Sequence, residues 1–146
     1  MRRWLHPDIL KTLSIDPTQY SYQVSTDRTA SYRYALAGLL HMLRYSKNVR
    51  IQAVATVLVM LLCIAVQLPL RDVAIIVLVT GLVWFAEFVN AAIEALINLV
   101  SPTYHDMAKV SKDIAAGAVL LCVIVSIIVG LLVIGPPLLV RLGLSA

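Results

Sequence analysis

Charge is scarce in this chain. Only 14% of its 146 residues are Asp, Glu, Lys or Arg, where an ordinary soluble domain carries roughly 25%. The shortage is concentrated: residues 51–70, 73–86 and 114–140 contain no formal charge at all. Cysteine is equally sparse. Cys63 and Cys122 both fall inside apolar runs, which excludes a disulfide framework and reads as two small apolar core thiols. No GxxxxGK[ST] and no GxGxxG occurs, so neither a P-loop nor a glycine-rich kinase loop is expected. Arg2 and Arg3 make a basic start, but no apolar stretch follows before Pro7 and Asp8. The start is therefore not read as a signal peptide, and the first span is expected to serve as the insertion signal.

What the chain has in abundance is hydrophobic surface, 60% of its residues. Stretches near 20 apolar residues read as membrane-spanning helices, and three are expected, at about 50–68, 73–99 and 114–134. The fold class is an all-α, multi-pass membrane protein of the cell inner (plasma) membrane. Arg2, Arg3, Lys11, Arg28, Arg33, Arg44, Lys47 and Arg50 precede the first span, and Lys109 and Lys112 lie between the second and third. Only Arg71 and Arg141 fall on the other side. The positive-inside rule then puts the N-terminus and the 100–113 loop in the cytoplasm. The net charge of +4 reads as topology and attraction to lipid headgroups, not as nucleic-acid binding.

Four segments follow. Residues 1–28 form a polar N-terminal extension without periodicity. Residues 29–48 read as an amphipathic helix: Tyr32, Leu36, Leu39, Leu40 and Leu43 make an apolar stripe beside Arg33, Ala37, His41 and Arg44. Such a helix lies in the membrane interface or packs as an ordinary helix on the bundle. Residues 49–136 hold the three spans, and 137–146 a tail. The short connection at 69–72 makes the first two spans antiparallel neighbours. Pro102 breaks the second helix, Thr103 is the expected N-cap of the third, and Gly135-Pro136-Pro137 is expected to end it. The small residues at 115–118 allow close helix approach or leave room for a bound group.

Within the second span Glu87, Asn90 and Glu94 are spaced i, i+3 and i+7, within an arc of roughly 60° on a helix. An ionisable group inside a bilayer costs at least a few kcal/mol and marks function by default. Measured from the outer face, a core of about 30 Å is used up near residue 92. Glu94 then sits at the water's edge and Glu87 about two turns deeper. A buried pair of acids tying helices together would give the same spacing. The loop adds Tyr104, His105, Lys109, Lys112 and Asp113. Lysines near an interfacial glutamate suit a polyphosphate, whose transfer needs positive charge, a hard cation on one or two carboxylates, and a group to orient the attacking hydroxyl.

Ala-Glu-x-x-Asn-x-Ala-x-Glu (86–94), Ser-Pro-x-Tyr-His (101–105) and Ala-Lys-x-x-Lys-Asp-x-Ala-Ala-Gly-Ala-Val (108–119) together resemble the prokaryotic integral-membrane diacylglycerol kinase family, over about 31–134. The second and third blocks are similar to its Gram-positive-type branch, whose members phosphorylate undecaprenol. The resemblance implies ATP as co-substrate, Mg2+ as cofactor and a lipid alcohol as acceptor. It also implies a homotrimer with shared active sites. By position it makes Glu87 the general base, Asn90 a positioning amide, Glu94 a magnesium ligand and Lys112 the neutraliser of the phosphates. Tyr104, His105 and Asp113 fall around the nucleotide, and Gly38 where the surface helix carries a glycine.

Two positions depart from the pattern. Ser46 stands where the family often has a second metal-binding glutamate, and Asn98 where an aspartate is usual. A serine hydroxyl reaches magnesium well only through a water, so lower affinity is implied. Three readings stay open on the residues alone: a lipid kinase, a kinase-like accessory subunit without turnover, and a proton- or ion-handling subunit. The last gives the basic loop no task.

Overall fold

The computed structural model describes residues 28–144. Every element in it is a helix: α1 (Arg28–Tyr45), α2 (Lys47–Ala65), α3 (Leu70–Val100) and α4 (Asp106–Arg141). Three of them, α2, α3 and α4, are long and apolar enough to cross a membrane, as the charge-free runs predict. The expected extension at 1–28 lies outside the described residues save for Arg28. The described residues divide into two units, 28–40 and 41–144, with the boundary inside α1.

The expected amphipathic helix is α1. None of its residues is buried, and Leu36, Leu39 and Leu40 are each about half exposed or more. It ends three residues before the expected boundary at 48. The cause is Ser46, whose side chain accepts from the backbone N–H of Val49 at 3.3 Å. Its extended backbone makes it the N-cap of α2, satisfying a donor that the helix cannot pair internally.

The α2–α3 connection also sits earlier than expected, at 66–69 rather than 69–72. The chain turns at Gln67, in the left-handed region at φ 55°. The N–H groups of Val66, Gln67 and Leu68 return to the carbonyls of Leu62, Ile64 and Cys63. Pro69 then caps α3, where a missing N–H costs nothing. At this end Cys63, Val66 and Leu68 meet Ile76 of α3 and Ile134 of α4 in the main apolar core.

The third span corrects the sequence reading at both ends. Its N-cap is His105, not Thr103: the His105 Nδ1 accepts from the Met107 N–H at 3.2 Å. Gly135-Pro136-Pro137 does not end the helix, which continues to Arg141. The two prolines withdraw their own N–H groups, a loss that spanning helices tolerate. Leu138, one residue on, packs against the core cluster, so tertiary contact carries the helix past the breaker. The stop comes at Gly143, whose φ of +68° is the left-handed ending that glycine permits.

Candidate functional site

The inward stripe of α3 positions the site. Its buried residues are Ile76, Val83, Glu87 and Asn90, spaced seven, four and three apart, which keeps them on one helical face. The stripe is apolar near the α2–α3 turn and becomes polar toward the α3–α4 loop. Glu87 is 5% exposed and Asn90 9%. Glu94, two turns nearer the loop, is exposed. The seam read from the sequence therefore has a buried carboxylate at its deep end and an open one at its mouth. Within the described residues no Lys or Arg forms an ion pair with Glu87.

Glu87 lines a groove of about 650 Å³ bounded by α2, α3 and α4. The walls are mostly apolar, with Val59, Leu62, Val79, Val83, Val123 and Ile127 among them, and no Lys or Arg contributes. From α2 come Asn48, Gln52 and Thr56, at i, i+4 and i+8. This second polar stripe, lining the same groove as Glu87, was not anticipated from the sequence. Three uncharged side chains in a run containing Lys47 and Arg50 are a faint signal; their four-residue spacing was the only clue.

Trp84 does more than fill space. Its Nε1 donates to Thr56 Oγ1 at 3.0 Å. Thr56 in turn donates to the Gln52 carbonyl at 2.8 Å. This chain of two hydrogen bonds sets the register of α2 against α3 one turn away from both Gln52 and Glu87. Two polar atoms stay orphaned: Gln52 Nε2 and Asn90 Oδ1 are shielded from solvent and have no hydrogen-bond partner among the described residues. A buried unpaired polar group costs about 1–3 kcal/mol, so each is a place where a bound group would be welcome.

At the loop end Lys112 Nζ donates to Asn98 Oδ1 at 2.6 Å, joining α4 to the last turns of α3. Lys109 pairs with Asp113 one turn along α4. Tyr104 and His105 are exposed in and beside the loop. The His105 Nδ1 is engaged as the cap acceptor, and Nε2 takes no part in the cap. Ala115 is buried at the helix contact, whereas a Cβ built on Gly117 would meet nothing within 4 Å. Of the small-residue run, then, one member serves close packing and another faces open space. Gly38 lies on α1, in the first unit. Ser46 is occupied as the α2 cap.

No group of three or more His, Cys, Asp or Glu side chains comes together among the described residues. Glu94, a single exposed carboxylate, would suit a magnesium ion of the kind that keeps waters and binds through one or two carboxylates plus substrate phosphates. It does not fit an ion caged by protein alone.

Residues 33–134 match the family described as prokaryotic diacylglycerol kinase. The chain is 38% identical over 120 residues to a diacylglycerol kinase of Synechocystis sp., across 82% of this chain and 69% of that relative. It is 34% identical over 108 residues to an undecaprenol kinase of Bacillus subtilis, across 74% of this chain and 88% of the relative. A diacylglycerol kinase of Escherichia coli is similar over a shorter stretch, 38% identical over 47 residues, or 32% of this chain and 38% of the relative.

Proposed function

The chain belongs to the prokaryotic diacylglycerol kinase family, and from that premise we propose that it is a lipid kinase carrying the γ-phosphate of ATP to a lipid alcohol at the inner face of the cell membrane. Undecaprenol is the favoured acceptor and diacylglycerol the alternative. Relatives named for each acceptor cover most of the chain, and the loop motifs at 101–105 and 108–119 lean to the first. The observation that carries the reading is the seam on α3: a buried carboxylate, Glu87, lining an apolar groove, with exposed Glu94 two turns along the same face.

In this reading the lipid hydroxyl enters the groove and Glu87 accepts its proton. The hydroxyl oxygen attacks the γ-phosphorus, the bond from that phosphorus to the β-bridging oxygen breaks, and ADP leaves. A base within about 2.6–3.2 Å of the proton it takes accelerates such a step by roughly 10²–10⁴-fold. Asn90, one turn from Glu87, holds the reacting groups in line. Lys112 compensates phosphate charge, while Tyr104, His105 and Asp113 border the nucleotide. Magnesium, when bound, supplies neutralisation of the phosphates; Glu94 would hold it, with the Ser46 hydroxyl reaching it through a water. The N-terminus and the 100–113 loop face the cytoplasm, where ATP is. Residues 29–48, with Gly38, supply a surface helix to a neighbouring subunit's site in a homotrimer. The continuous apolar exterior, with Leu58, Leu61, Leu78, Phe85, Leu120 and Leu131 all exposed, suits both lipid and neighbouring subunits.

The test is phosphate transfer from radiolabelled ATP with magnesium in mixed detergent–lipid micelles, offering undecaprenol and diacylglycerol separately. Label on a lipid, lost in Glu87→Gln, is the expected result. No label on either from folded protein would favour an accessory role without turnover.

A further inference from the structure

Gln52 has a side chain that the folded chain leaves unfinished. Its Nε2 is shielded from solvent without a hydrogen-bond partner, although a buried amide is almost always satisfied. The position is held, not loose: the Gln52 carbonyl receives the Thr56 hydroxyl, and Thr56 is tied across to Trp84 on α3. The side chain lines the same groove as Glu87.

What would complete Gln52 is a guest that accepts its hydrogen bond and donates another to Glu87, on an otherwise apolar body. A hydroxyl does both. A polyphosphate does not fit, because only Glu87 carries charge among the groove-lining residues and no cation is present to receive an anion. The unpaired donor therefore belongs to the alcohol and not to the nucleotide, whose cations lie at the loop end with Lys112.

We infer that Gln52 is a substrate-positioning residue for the lipid alcohol: its amide nitrogen donates to the acceptor hydroxyl oxygen, turning the hydroxyl proton toward Glu87. This rests on the lipid-kinase reading and adds to it the residue that recognises the alcohol. A donor here leaves one lone pair of the oxygen free for attack and gives up no proton itself. It also separates alcohols from the surrounding lipid tails, because a site that hydrogen-bonds a hydroxyl discriminates strongly against molecules lacking one.

The variants are Gln52→Leu, which keeps size and removes the donor, and Gln52→Glu, which keeps size and offers only acceptors when ionised. Gln52→Met serves as a second apolar variant. KM for the lipid alcohol and KM for ATP are measured separately in micelles, with the thermal midpoint of the lipid-free protein alongside. Gln52→Leu is expected to raise the lipid KM roughly ten-fold, the scale of one hydrogen bond, with the ATP KM within about two-fold. Gln52→Glu falls further, since it adds a charge to the groove that holds Glu87. The midpoint of Gln52→Leu holds or rises, because an unpaired buried donor has been removed. A merely structural glutamine gives the opposite pattern: a lower midpoint and both KM values rising together. That pattern, failure of both apolar variants to fold, or an unchanged lipid KM overturns the inference and leaves the kinase reading standing. Wild-type protein that labels no lipid alcohol overturns the kinase reading, and the role of Gln52 falls with it.

Discussion

Lys112 and Asn98 meet across the loop end of the bundle, Nζ to Oδ1 at 2.6 Å. The partner is neutral, and that matters for the lysine. An aspartate at 98 would compensate the ammonium, whereas the asparagine carbonyl orients it and leaves its full positive charge in place. The lysine is thereby held at the start of α4, beside the loop, with a charge still to be satisfied.

Lys112→Met should therefore raise the KM for ATP at least ten-fold, since a charge-assisted hydrogen bond to phosphate is worth about twice a neutral one. Asn98→Ala, which frees the lysine without discharging it, should change the same KM less than about three-fold. Neither variant should shift the thermal midpoint by much, because single polar contacts at exposed positions contribute little. Equal effects of the two variants would mean that Lys112 serves the helix contact and not the nucleotide.

Glu87→Gln keeps the shape of the buried side chain and removes its basicity. Turnover should fall by roughly 10²–10⁴-fold, the range a positioned base supplies, with ATP binding retained when followed by calorimetry in detergent. Protein stability should hold or improve, because within the described residues no cation pairs with the buried carboxylate, and a neutral amide costs less to bury. Loss of ATP binding in this variant would move Glu87 out of the base role.

The Trp84–Thr56 hydrogen bond predicts a measurable coupling between α2 and α3. Thr56→Val strands the indole N–H, and Trp84→Phe strands the threonine only partly, because its hydroxyl still donates to the Gln52 carbonyl. Each single variant should cost stability, and the pair should cost less than their sum. The coupling should be about 0.6 kcal/mol and not above roughly 1.7, the range for interhelical hydrogen bonds in membrane proteins. A double-mutant cycle by reversible unfolding in mixed micelles reads it directly. Strict additivity would show that α2 is held against α3 by apolar packing alone.

The α3 seam was legible in the sequence because a carboxylate within an apolar run is conspicuous and helical spacing assigns it a face. Glu87 and Asn90 are buried on the inward face of α3, and Glu94, two turns beyond Glu87, is exposed. The uncharged groove residues were less visible: asparagine, glutamine and threonine at 48, 52 and 56 gain meaning only once α3 and α4 stand opposite them. The helix ends failed for a related reason. Pro136 and Pro137 are strong local breakers, yet Leu138 packs into a core with Cys63 and Ile76, residues more than sixty positions away. Local chemistry proposes an ending there, and contacts distant in sequence overrule it. Thr103 lost its cap to His105 because an imidazole nitrogen can accept from the N–H two residues on as a threonine hydroxyl would.

Ser46 carries the last prediction, because its structural role and its proposed role pull apart. Its hydroxyl caps α2 through the Val49 N–H, and the resemblance to the family puts a metal-binding glutamate at the same position. Glutamate would supply the missing carboxylate and lose the cap, at a cost of about 0.5–2 kcal/mol, offset in part by favourable charge at a helix N-terminus of about 0.3–1 kcal/mol. Aspartate does both jobs, since it caps as well as serine. Ser46→Asp should therefore keep the thermal midpoint and lower the magnesium concentration needed for half-maximal transfer. Ser46→Glu should lower that concentration at least as far, through its longer reach, while reducing the midpoint by a few degrees. Titrating magnesium at saturating ATP for the three proteins checks it. If the midpoints separate as expected while the magnesium dependence stays fixed, Ser46 is a cap and nothing more, and Glu94 holds the ion without help from α2.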